Sequence, residues 1–306
     1  MSLSIFYLIS GSILLYFGSH WMVQSSVNIA SKLNISKFVI GLTIVAFGTS
    51  LPELGVSLKA ALFDKSAIAI GNIIGSNITN VALVLGSCSL FAPIVISFTE
   101  IKKDLLIYLI VCGLLIFFLW DQILSRFDGT ILFSGLILYT IYSFKTGKAH
   151  QEEVEETPSN FYWTIFLLVL GISLIYFGSD LFINGAILFA GIIGISDIVI
   201  GLSVVALGTS LPELVTSLVA SLKDEHSISV GNIIGSNLFN ILSVLGLVSI
   251  ITPLDIDKDI FTFEIPLMVL SGLILVPLGI RNKPLSKWIS ISLLCGYTIF
   301  LLALYN

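Results

Sequence analysis

The chain contains few charged residues, and this deficit excludes most water-soluble folds. Of its 306 residues, 11% are Asp, Glu, Lys or Arg, and 56% are hydrophobic. A soluble domain carries roughly 25% charged residues. The mean hydropathy is +1.06, and the stretches 3–17, 105–120 and 267–280 have no charged residue. Because about 20 apolar residues span a bilayer as a helix, the composition predicts an integral membrane protein whose surroundings are lipid.

Other features that would indicate a soluble function are also scarce. The net charge of −5 is too small to predict a nucleic-acid partner. The three cysteines, Cys88, Cys112 and Cys295, lie in apolar stretches and form no CxxC pair, which favours packing roles. The sequence has no HExxH motif, no Ser/His/Asp set and no cofactor fingerprint. We therefore expect neither an enzyme nor a bound cofactor, and no obligatory protein partner is evident.

The most informative feature of the sequence is an internal repeat with an offset of 160 residues. The segment Gly48–Leu54, GTSLPEL, recurs unchanged as Gly208–Leu214. The segment Gly71–Asn77, GNIIGSN, recurs unchanged as Gly231–Asn237. Matches at the same offset extend from Tyr16 to Pro93 without a gap. The chain is therefore a duplication.

Each half contains five apolar segments, which predicts an all-α integral membrane protein of ten transmembrane helices. We assign residues 1–145 to a first five-helix repeat, 146–160 to a cytoplasmic linker and 161–306 to a second repeat. Because five is odd, the second repeat enters the membrane from the opposite side, so the two repeats are predicted to be inverted. Proline has no N–H and clashes with the carbonyl four residues back. Pro52 and Pro212 thus predict that helices 2 and 7 are broken.

The distribution of Lys and Arg predicts the orientation in the cell membrane. Ten of the 14 basic residues fall in segments on one face of the ten-helix arrangement, and four, Lys59, Lys65, Arg126 and Lys258, fall on the other. Cytoplasmic loops carry an excess of Lys and Arg. The sequence therefore predicts a multi-pass plasma-membrane protein with both termini extracytoplasmic.

Two glutamates lie where a membrane helix tolerates them least. Glu53 and Glu213 occupy the two GTSLPEL segments, inside apolar stretches. A carboxylate at the centre of a membrane helix costs at least about 2.5–3.5 kcal/mol on insertion scales. No Lys or Arg lies within the core of either segment. A bound cation is the simplest compensation, and a protonated structural glutamate is the alternative.

Polar residues around these glutamates recur at helical spacing. Thr49 and Ser57 lie four residues before and after Glu53, so the three share one helix face. The same pattern recurs as Thr209, Glu213 and Ser217, and a second stripe, Asn72, Ser76 and Asn80, recurs as Asn232, Ser236 and Asn240. Hydroxyl, amide and carboxylate oxygens are hard ligands that suit Ca²⁺ or Na⁺. We expect the four stripes to converge on one cation-binding cavity.

These motifs resemble the two alpha-repeats of the cation/calcium exchanger superfamily, most closely those of its small prokaryotic sodium/calcium exchangers. The resemblance implies an antiporter that exchanges Na⁺ for Ca²⁺ by alternating access, with both ions as transported ligands. It also implies that Glu53 and Glu213 are the central carboxylates. The match further implies hydroxyl or backbone ligands from Thr49, Ser50, Thr209 and Ser210. It implies flanking Na⁺ ligands from Ser76 and Ser236 and from the carbonyls of Ala46 and Ala206. Asn80 and Asn240 would line the middle of the site.

One departure from the family pattern bears on the coupling ion. Some relatives, including the potassium-dependent branch, carry aspartate where Asn240 stands, so the site here has a formal charge of −2 and K⁺ co-transport is disfavoured. The proton-coupled branch typically carries its central glutamate in a GNxxE context, whereas GTSLPE here favours Na⁺. An antiporter of H⁺ and Ca²⁺, or of another divalent cation, is the main alternative. A cation channel is a less favoured one.

Overall fold

The computed structural model describes residues 1–147, 160–193, 206–256 and 258–304. Most of the predicted linker at 146–160 and the beginning of predicted helix 7 lie outside these residues. The described helices are α1 (Ser2–Leu33), α2 (Lys37–Thr49), α3 (Leu51–Leu62), α4 (Ser66–Phe91), α5 (Phe98–Phe118), α6 (Arg126–Thr146), α7 (Phe161–Ile192), α8 (Ala206–Thr209), α9 (Leu211–Leu222), α10 (His226–Ile251), α11 (Glu264–Arg281) and α12 (Lys287–Leu304).

Seven helices of the described ranges are long and apolar enough to cross a membrane, or eight if the bent pair α2–α3 forms one span. Helices α9 and α12 are apolar but shorter. The only sheet among the described residues is the antiparallel pair of two-residue strands β1 (Ile123–Leu124) and β2 (Leu254–Asp255). The all-α membrane fold predicted from the sequence is confirmed.

Helix ends follow local sequence signals. Helix α6 begins with a capping box, in which the Ser125 hydroxyl accepts from Asp128 N and the Asp128 carboxylate accepts from Ser125 N. Helix α1 ends at Asn34, which adopts a left-handed conformation with φ 53°. Asparagine and aspartate tolerate this conformation better than other non-glycine residues do. Asp64 and Asp224, which lie 160 residues apart, adopt it in the two tight turns before α4 and α10.

Helices α1 and α7 run antiparallel and pack at very short range through glycines. A Cβ added at Gly171 would lie 2.8 Å from the carbonyl oxygen of Gly18. A Cβ added at Gly178 would lie 2.8 Å from the backbone nitrogen of Leu15. Small residues let membrane helices approach this closely. The two longest helices therefore form a pair in direct backbone contact.

Helices α4 and α10 lie at the centre of the molecule. In α10, 89% of the most apolar 18-residue stretch is buried, and in α4 67% is buried. Gly231 and Gly235 of α10 let the backbone of α2 approach, because a Cβ at either position would overlap the carbonyl oxygen of Phe38 or Leu42. The GxxxG spacing of α10 thus serves close helix packing, whereas at Gly71 and Gly75 of α4 no described atom lies within 4 Å of an added Cβ.

Both central helices contain a wide π-helical turn, at Asn80–Leu85 in α4 and at Asn240–Leu245 in α10. A third such turn, Gly41–Val45, lies in α2. Turns of this kind are rare and are frequent at functional sites. Two of the three begin at an asparagine of the predicted polar stripes.

The helical path is interrupted before each GTSLPEL glutamate. Ser50 separates α2 from α3 with φ −84° and ψ 7°, and the two helices are bent by 44° at this point. Ser210 separates α8 from α9 with φ −86° and ψ 6°. In both places the proline lies in the first turn of the following helix, where its missing N–H costs nothing. Each glutamate consequently lies in the first turn of a new helix.

The outer surface is apolar, with aromatic residues near helix ends. Trp120, Tyr162 and Trp288 are 80%, 84% and 77% exposed. Tryptophan and tyrosine are enriched where the hydrocarbon core meets the lipid headgroups. Exposed leucine, isoleucine and phenylalanine side chains, such as Phe6, Ile110 and Leu138, lie on the long helices. This is the surface expected of a protein that faces lipid.

The glycine contacts generate a stability prediction. Replacing Gly178 by alanine should lower the thermal stability of the purified protein by about 1–3 kcal/mol, because the new methyl group overlaps the backbone of α1. Gly113→Ala is the matched control, since Gly113 lies inside α5 with no described atom within 4 Å of an added Cβ. Thermal unfolding in detergent, followed by circular dichroism, measures both. Equal melting temperatures for the two variants would contradict the close packing of α1 and α7.

Candidate functional site

Glu53 and Glu213 are both completely buried, with exposed fractions of 0%. Each begins a helix, α3 or α9, so its carboxylate lies near the positive end of a helix dipole, which favours a negative charge. The two residues bond across the repeats. Glu53 Oε1 accepts from the hydroxyl of Ser210 at 3.4 Å, and Glu213 Oε1 accepts from that of Ser50 at 3.1 Å.

Threonine and asparagine side chains repeat this crossing. The Thr49 hydroxyl donates to Asn232 Oδ1 at 3.2 Å, and the Thr209 hydroxyl donates to Asn72 Oδ1, also at 3.2 Å. The two bonds are equivalent, because Thr49 corresponds to Thr209 and Asn232 to Asn72 at the 160-residue offset. Every one of these contacts therefore joins the first half of the chain to the second.

The remaining predicted serines lie in the same network. Ser76 Oγ donates to Glu53 Oε1 at 3.4 Å and accepts from Ser210 Oγ at 3.2 Å. Ser236 Oγ lies 3.4 Å from Thr49 Oγ1. The structure thus brings together eight of the predicted site residues: Thr49, Ser50, Glu53, Ser76, Thr209, Ser210, Glu213 and Ser236.

Of the two predicted alanine carbonyls, the structure gives hydrogen bonds for Ala46 and only a helix position for Ala206. The Ala46 carbonyl oxygen accepts from Ser50 N at 3.0 Å and from the Thr49 hydroxyl at 3.3 Å, which keeps it next to the break. Ala206 begins α8, and its side chain lies outside the described residues. The nearby Gly208 carbonyl accepts from Ser179 of α7 at 3.1 Å, so the backbone before the second break is held by the long helix.

Asn80 and Asn240 lie where α4 and α10 cross. The Nδ2 of Asn80 donates to Asn237 Oδ1 at 3.0 Å, and the Nδ2 of Asn240 donates to Asn77 Oδ1 at 3.0 Å. All four side chains are buried, with exposed fractions of 2% or less. The last two of the predicted site residues with described side chains thus join the same interior region, one helical turn beyond Ser76 and Ser236.

Four oxygens of this region are buried without a hydrogen-bond donor among the described residues. They are Glu53 Oε2, Glu213 Oε2, Asn80 Oδ1 and Asn240 Oδ1. An unpaired buried acceptor costs about 1–3 kcal/mol, and more if it is charged. The two ion pairs found in the described ranges, Lys37 with Glu225 and His226 with Asp224, involve neither glutamate. The site is therefore rich in acceptors and poor in donors, which suits a cation.

The donor set also indicates which class of cation fits. No group of three or more His, Cys, Asp and Glu side chains comes together in the described part of the chain. The available ligands are two carboxylates and neutral hydroxyl, amide and carbonyl oxygens. Such oxygens suit Ca²⁺ and Na⁺ and are poor ligands for soft transition metals.

The network also contains residues that the sequence analysis placed only in the polar stripes, Asn72, Asn232, Ser57 and Ser217, and two that it did not assign to the site, Asn77 and Asn237. Asn72 and Asn232 hold the threonine hydroxyls, and their own Nδ2 groups donate to Ser57 and Ser217 at 2.9 Å. Asn77 and Asn237 hold Asn240 and Asn80. All six lie in or beside the duplicated GTSLPEL and GNIIGSN segments, so exact recurrence at the 160-residue offset was the available signal.

Comparison with known proteins identifies the family. A model described as "Sodium/calcium exchanger protein" matches residues 3–145 and 163–306. The chain belongs to the sodium/calcium exchanger family. It is therefore a multi-pass membrane transport protein of the antiporter type.

Individual relatives match over nearly the whole chain. The putative antiporter CaxA of Alkalimonas amylolytica is 38% identical over 297 residues, covering 94% of this chain and 93% of the relative. The sodium/calcium exchanger MaX1 of Methanosarcina acetivorans is 33% identical over 341 residues, with 97% of both chains covered. A solved structure of the sodium-calcium exchanger NCX_Mj, soaked with Na⁺ and Sr²⁺, superposes with a TM-score of 0.85 at 36% identity over 97% of each chain.

The uncompensated carboxylates generate a second stability prediction. In sodium- and calcium-free buffer with a chelator at pH 8, Glu53→Gln should raise the thermal stability by roughly 1–3 kcal/mol. The substitution removes a buried charge and supplies N–H donors where acceptors are in excess. Glu213→Gln should act in the same direction. The control is Glu100→Gln, at an exposed position in the first turn of α5, which should change the melting temperature much less than either buried substitution. Lower stability of both buried variants would show that the carboxylates are already neutral without a metal ion, through protonation or through other groups.

Proposed function

We propose that this protein is a secondary active antiporter that exchanges Na⁺ for Ca²⁺ by alternating access. The observation that carries the proposal is the pair of fully buried glutamates, each bonded to a serine of the opposite repeat and each retaining an oxygen that accepts from no donor in the described part of the chain. The names of the relatives MaX1 and NCX_Mj support Na⁺ and Ca²⁺ as the exchanged ions. The further ligands proposed are the ten other predicted oxygens of Thr49, Ser50, Thr209, Ser210, Ser76, Ser236, Asn80, Asn240, Ala46 and Ala206.

The formal charge of the site explains why the two fluxes would be coupled. Glu53 and Glu213 give the site a charge of −2, which low-dielectric surroundings leave high in energy when no cation is bound. One Ca²⁺, or two Na⁺, brings the charge to zero. Only the loaded site then reorients readily, so each ion crosses in exchange for the other.

We further propose ten transmembrane helices in two inverted repeats, residues 1–145 and 161–306. The antiparallel packing of α1 against α7 supports inversion, since these helices correspond at the 160-residue offset. The paired bonds of Thr49 with Asn232 and of Thr209 with Asn72 support a pseudo-two-fold axis through the site. In this arrangement α1 and α7 would slide as the gating pair, joined by their glycine contacts.

Contacts between loops support the proposed alternation of the loops between the two faces of the membrane, and the excess of Lys and Arg on one face supports both termini being extracytoplasmic. Lys37 Nζ lies 2.8 Å from Glu225, which places the turns before α2 and α10 at one end of the molecule. Val95 pairs with Pro284 in an isolated bridge, and both belong to segments predicted to be cytoplasmic. At the other end, Ile123 pairs with Asp255, both from segments predicted to be extracytoplasmic.

The deciding experiment is ⁴⁵Ca²⁺ uptake into proteoliposomes under separate Na⁺, K⁺ and H⁺ gradients. An outward Na⁺ gradient at constant pH should drive uptake, and a pH or K⁺ gradient without Na⁺ should not. Uptake driven by the pH gradient alone would assign the alternative H⁺/Ca²⁺ antiport. Uptake that needs no counter-gradient would indicate a channel.

Neutralising either glutamate should abolish this uptake. Glu53→Gln and Glu213→Gln keep the side-chain shape but remove half of the site's charge, so Ca²⁺ is no longer balanced. The same ⁴⁵Ca²⁺ assay measures both variants, with Glu100→Gln as the exposed control that should retain exchange. Normal exchange in the two buried variants would refute the assignment of these residues.

Transport should also respond to voltage. If three Na⁺ exchange for one Ca²⁺, one net charge moves per cycle, which is worth about 2.3 kcal/mol per 100 mV. A potential of that size should then shift the equilibrium Ca²⁺ gradient by roughly 40- to 50-fold. Diffusion potentials set with K⁺ and valinomycin across the proteoliposome membrane test this. An unchanged gradient would indicate electroneutral exchange of two Na⁺ for one Ca²⁺.

A further inference from the structure

The asparagines at the crossing of α4 and α10 form two reciprocal hydrogen bonds. Asn80 Nδ2 donates to Asn237 Oδ1, and Asn240 Nδ2 donates to Asn77 Oδ1, each at 3.0 Å. Each bond joins one helix to the other. Asn80 and Asn240 are fully buried, so water does not compete for these groups.

These bonds decide which end of the Asn80 and Asn240 amides is available. An asparagine amide presents an acceptor oxygen on one side and a two-donor NH₂ group on the other. With Nδ2 held by the neighbouring asparagine, Oδ1 must lie on the opposite side. The Oδ1 atoms of both residues are buried and have no donor among the residues that the structure describes. A flip of either amide would bring two acceptor oxygens together and leave N–H groups on the open side.

The orientation of Asn77 is itself fixed by groups that cannot exchange roles. Its Nδ2 donates to the backbone carbonyl of Asn237 at 3.3 Å and lies 3.6 Å from the sulfur of Met268. A backbone carbonyl only accepts, so the NH₂ group of Asn77 must face it. The Oδ1 of Asn77 is therefore left to accept from Asn240. The backbone carbonyl of Asn237 in α10 thus fixes the amide orientation of Asn77, and Asn77 in turn fixes that of Asn240.

The open oxygens lie in the proposed ion site. Asn80 follows Ser76 by four residues on α4, and Ser76 bonds the Glu53 carboxylate. Asn240 follows Ser236 in the same way on α10, and Ser236 lies 3.4 Å from Thr49. Residues four apart share a helix face. A cation between the glutamates is attracted by an amide oxygen and repelled by an amide NH₂ group, so the two orientations have opposite effects.

We propose that Asn77 and Asn237 are positioning residues that hold the amides of Asn240 and Asn80 with their oxygens toward the transported cation. This inference rests on the proposed function of the Glu53 and Glu213 site. The competing explanation is that Asn77 and Asn237 only pack the α4–α10 interface.

A carboxylate separates the two explanations, because its two oxygens are equivalent and it has no wrong orientation. Asn77→Leu keeps the branching of the side chain but removes its hydrogen bonds. In the otherwise native protein it should weaken Ca²⁺ binding by about 10- to 100-fold, the usual effect of losing a group that orients a metal ligand. In combination with Asn240→Asp the same substitution should not weaken Ca²⁺ binding, since no amide remains for Asn77 to orient and the leucine only removes an acceptor, Asn77 Oδ1, that faces the new carboxylate.

The crossed pairing supplies the matched control. Asn80 is held by Asn237 and not by Asn77, so Asn80→Asp should leave the full effect of Asn77→Leu in place. By the same logic, Asn80→Asp and not Asn240→Asp should suppress the effect of Asn237→Leu. Asn77→Ala and Asn237→Ala replace the leucine variants if those do not fold, as judged by gel filtration.

The measurement is equilibrium ⁴⁵Ca²⁺ binding to the purified full-length protein in sodium-free detergent solution, which does not depend on the coupling ion. Suppression by the bonded partner alone would establish the positioning role. Equal losses in every background would overturn it and leave the proposed antiport intact. A native protein that binds no Ca²⁺ would instead refute the proposed function and, with it, this inference.

Discussion

Two carboxylates in a lipid-enclosed interior, with no basic side chain beside them in the described residues, impose a constraint that the rest of the molecule accommodates. Glu53 and Glu213 are each placed in the first turn of a helix, where the helix dipole favours their charge. Each also accepts a hydroxyl hydrogen bond from the opposite repeat. These contacts offset part of the cost of burial. In the proposed antiporter, a bound cation offsets the remaining cost.

The helix breaks and the crossing of α4 and α10 contribute in different ways to the accommodation of the two buried carboxylates. The breaks at Ser50 and Ser210 turn the chain so that a glutamate and a serine from different repeats meet. The crossing of α4 and α10, allowed by close backbone approach at Gly231 and Gly235, adds neutral oxygens without adding charge. A site of two carboxylates and many neutral oxygens keeps its charge low enough for one divalent ion to balance it.

Much of this arrangement could be predicted from the sequence, because duplication marks which residues matter. The exact recurrence of GTSLPEL identified Glu53 and Glu213, and helical spacing placed Thr49 and Ser76 beside them. The pairing within the asparagine sets was not predictable. Asn72, Asn77 and Asn80 have the same donors and acceptors, and only the rotation and crossing of α4 and α10 decide that Asn80 meets Asn237. The bond from Ser179 to the Gly208 carbonyl was missed for a similar reason, since it depends on how α7 lies against the break.

The crossed hydrogen bonds have a consequence for how such a molecule arises. Among the described contacts, the side chains of Ser50 and Asn80 bond only to residues of the second half, and the Thr49 hydroxyl bonds both Asn232 of the second half and the nearby Ala46 carbonyl. One repeat by itself therefore contains half a binding site with no means of completing it. If the repeats are inverted as proposed, an ancestral chain of a single repeat would have needed to insert into the membrane in both orientations and to assemble as an antiparallel dimer. Fusion of the two copies then fixes one orientation for each, and only afterwards can the copies diverge, as His20 and its counterpart Asp180 have done.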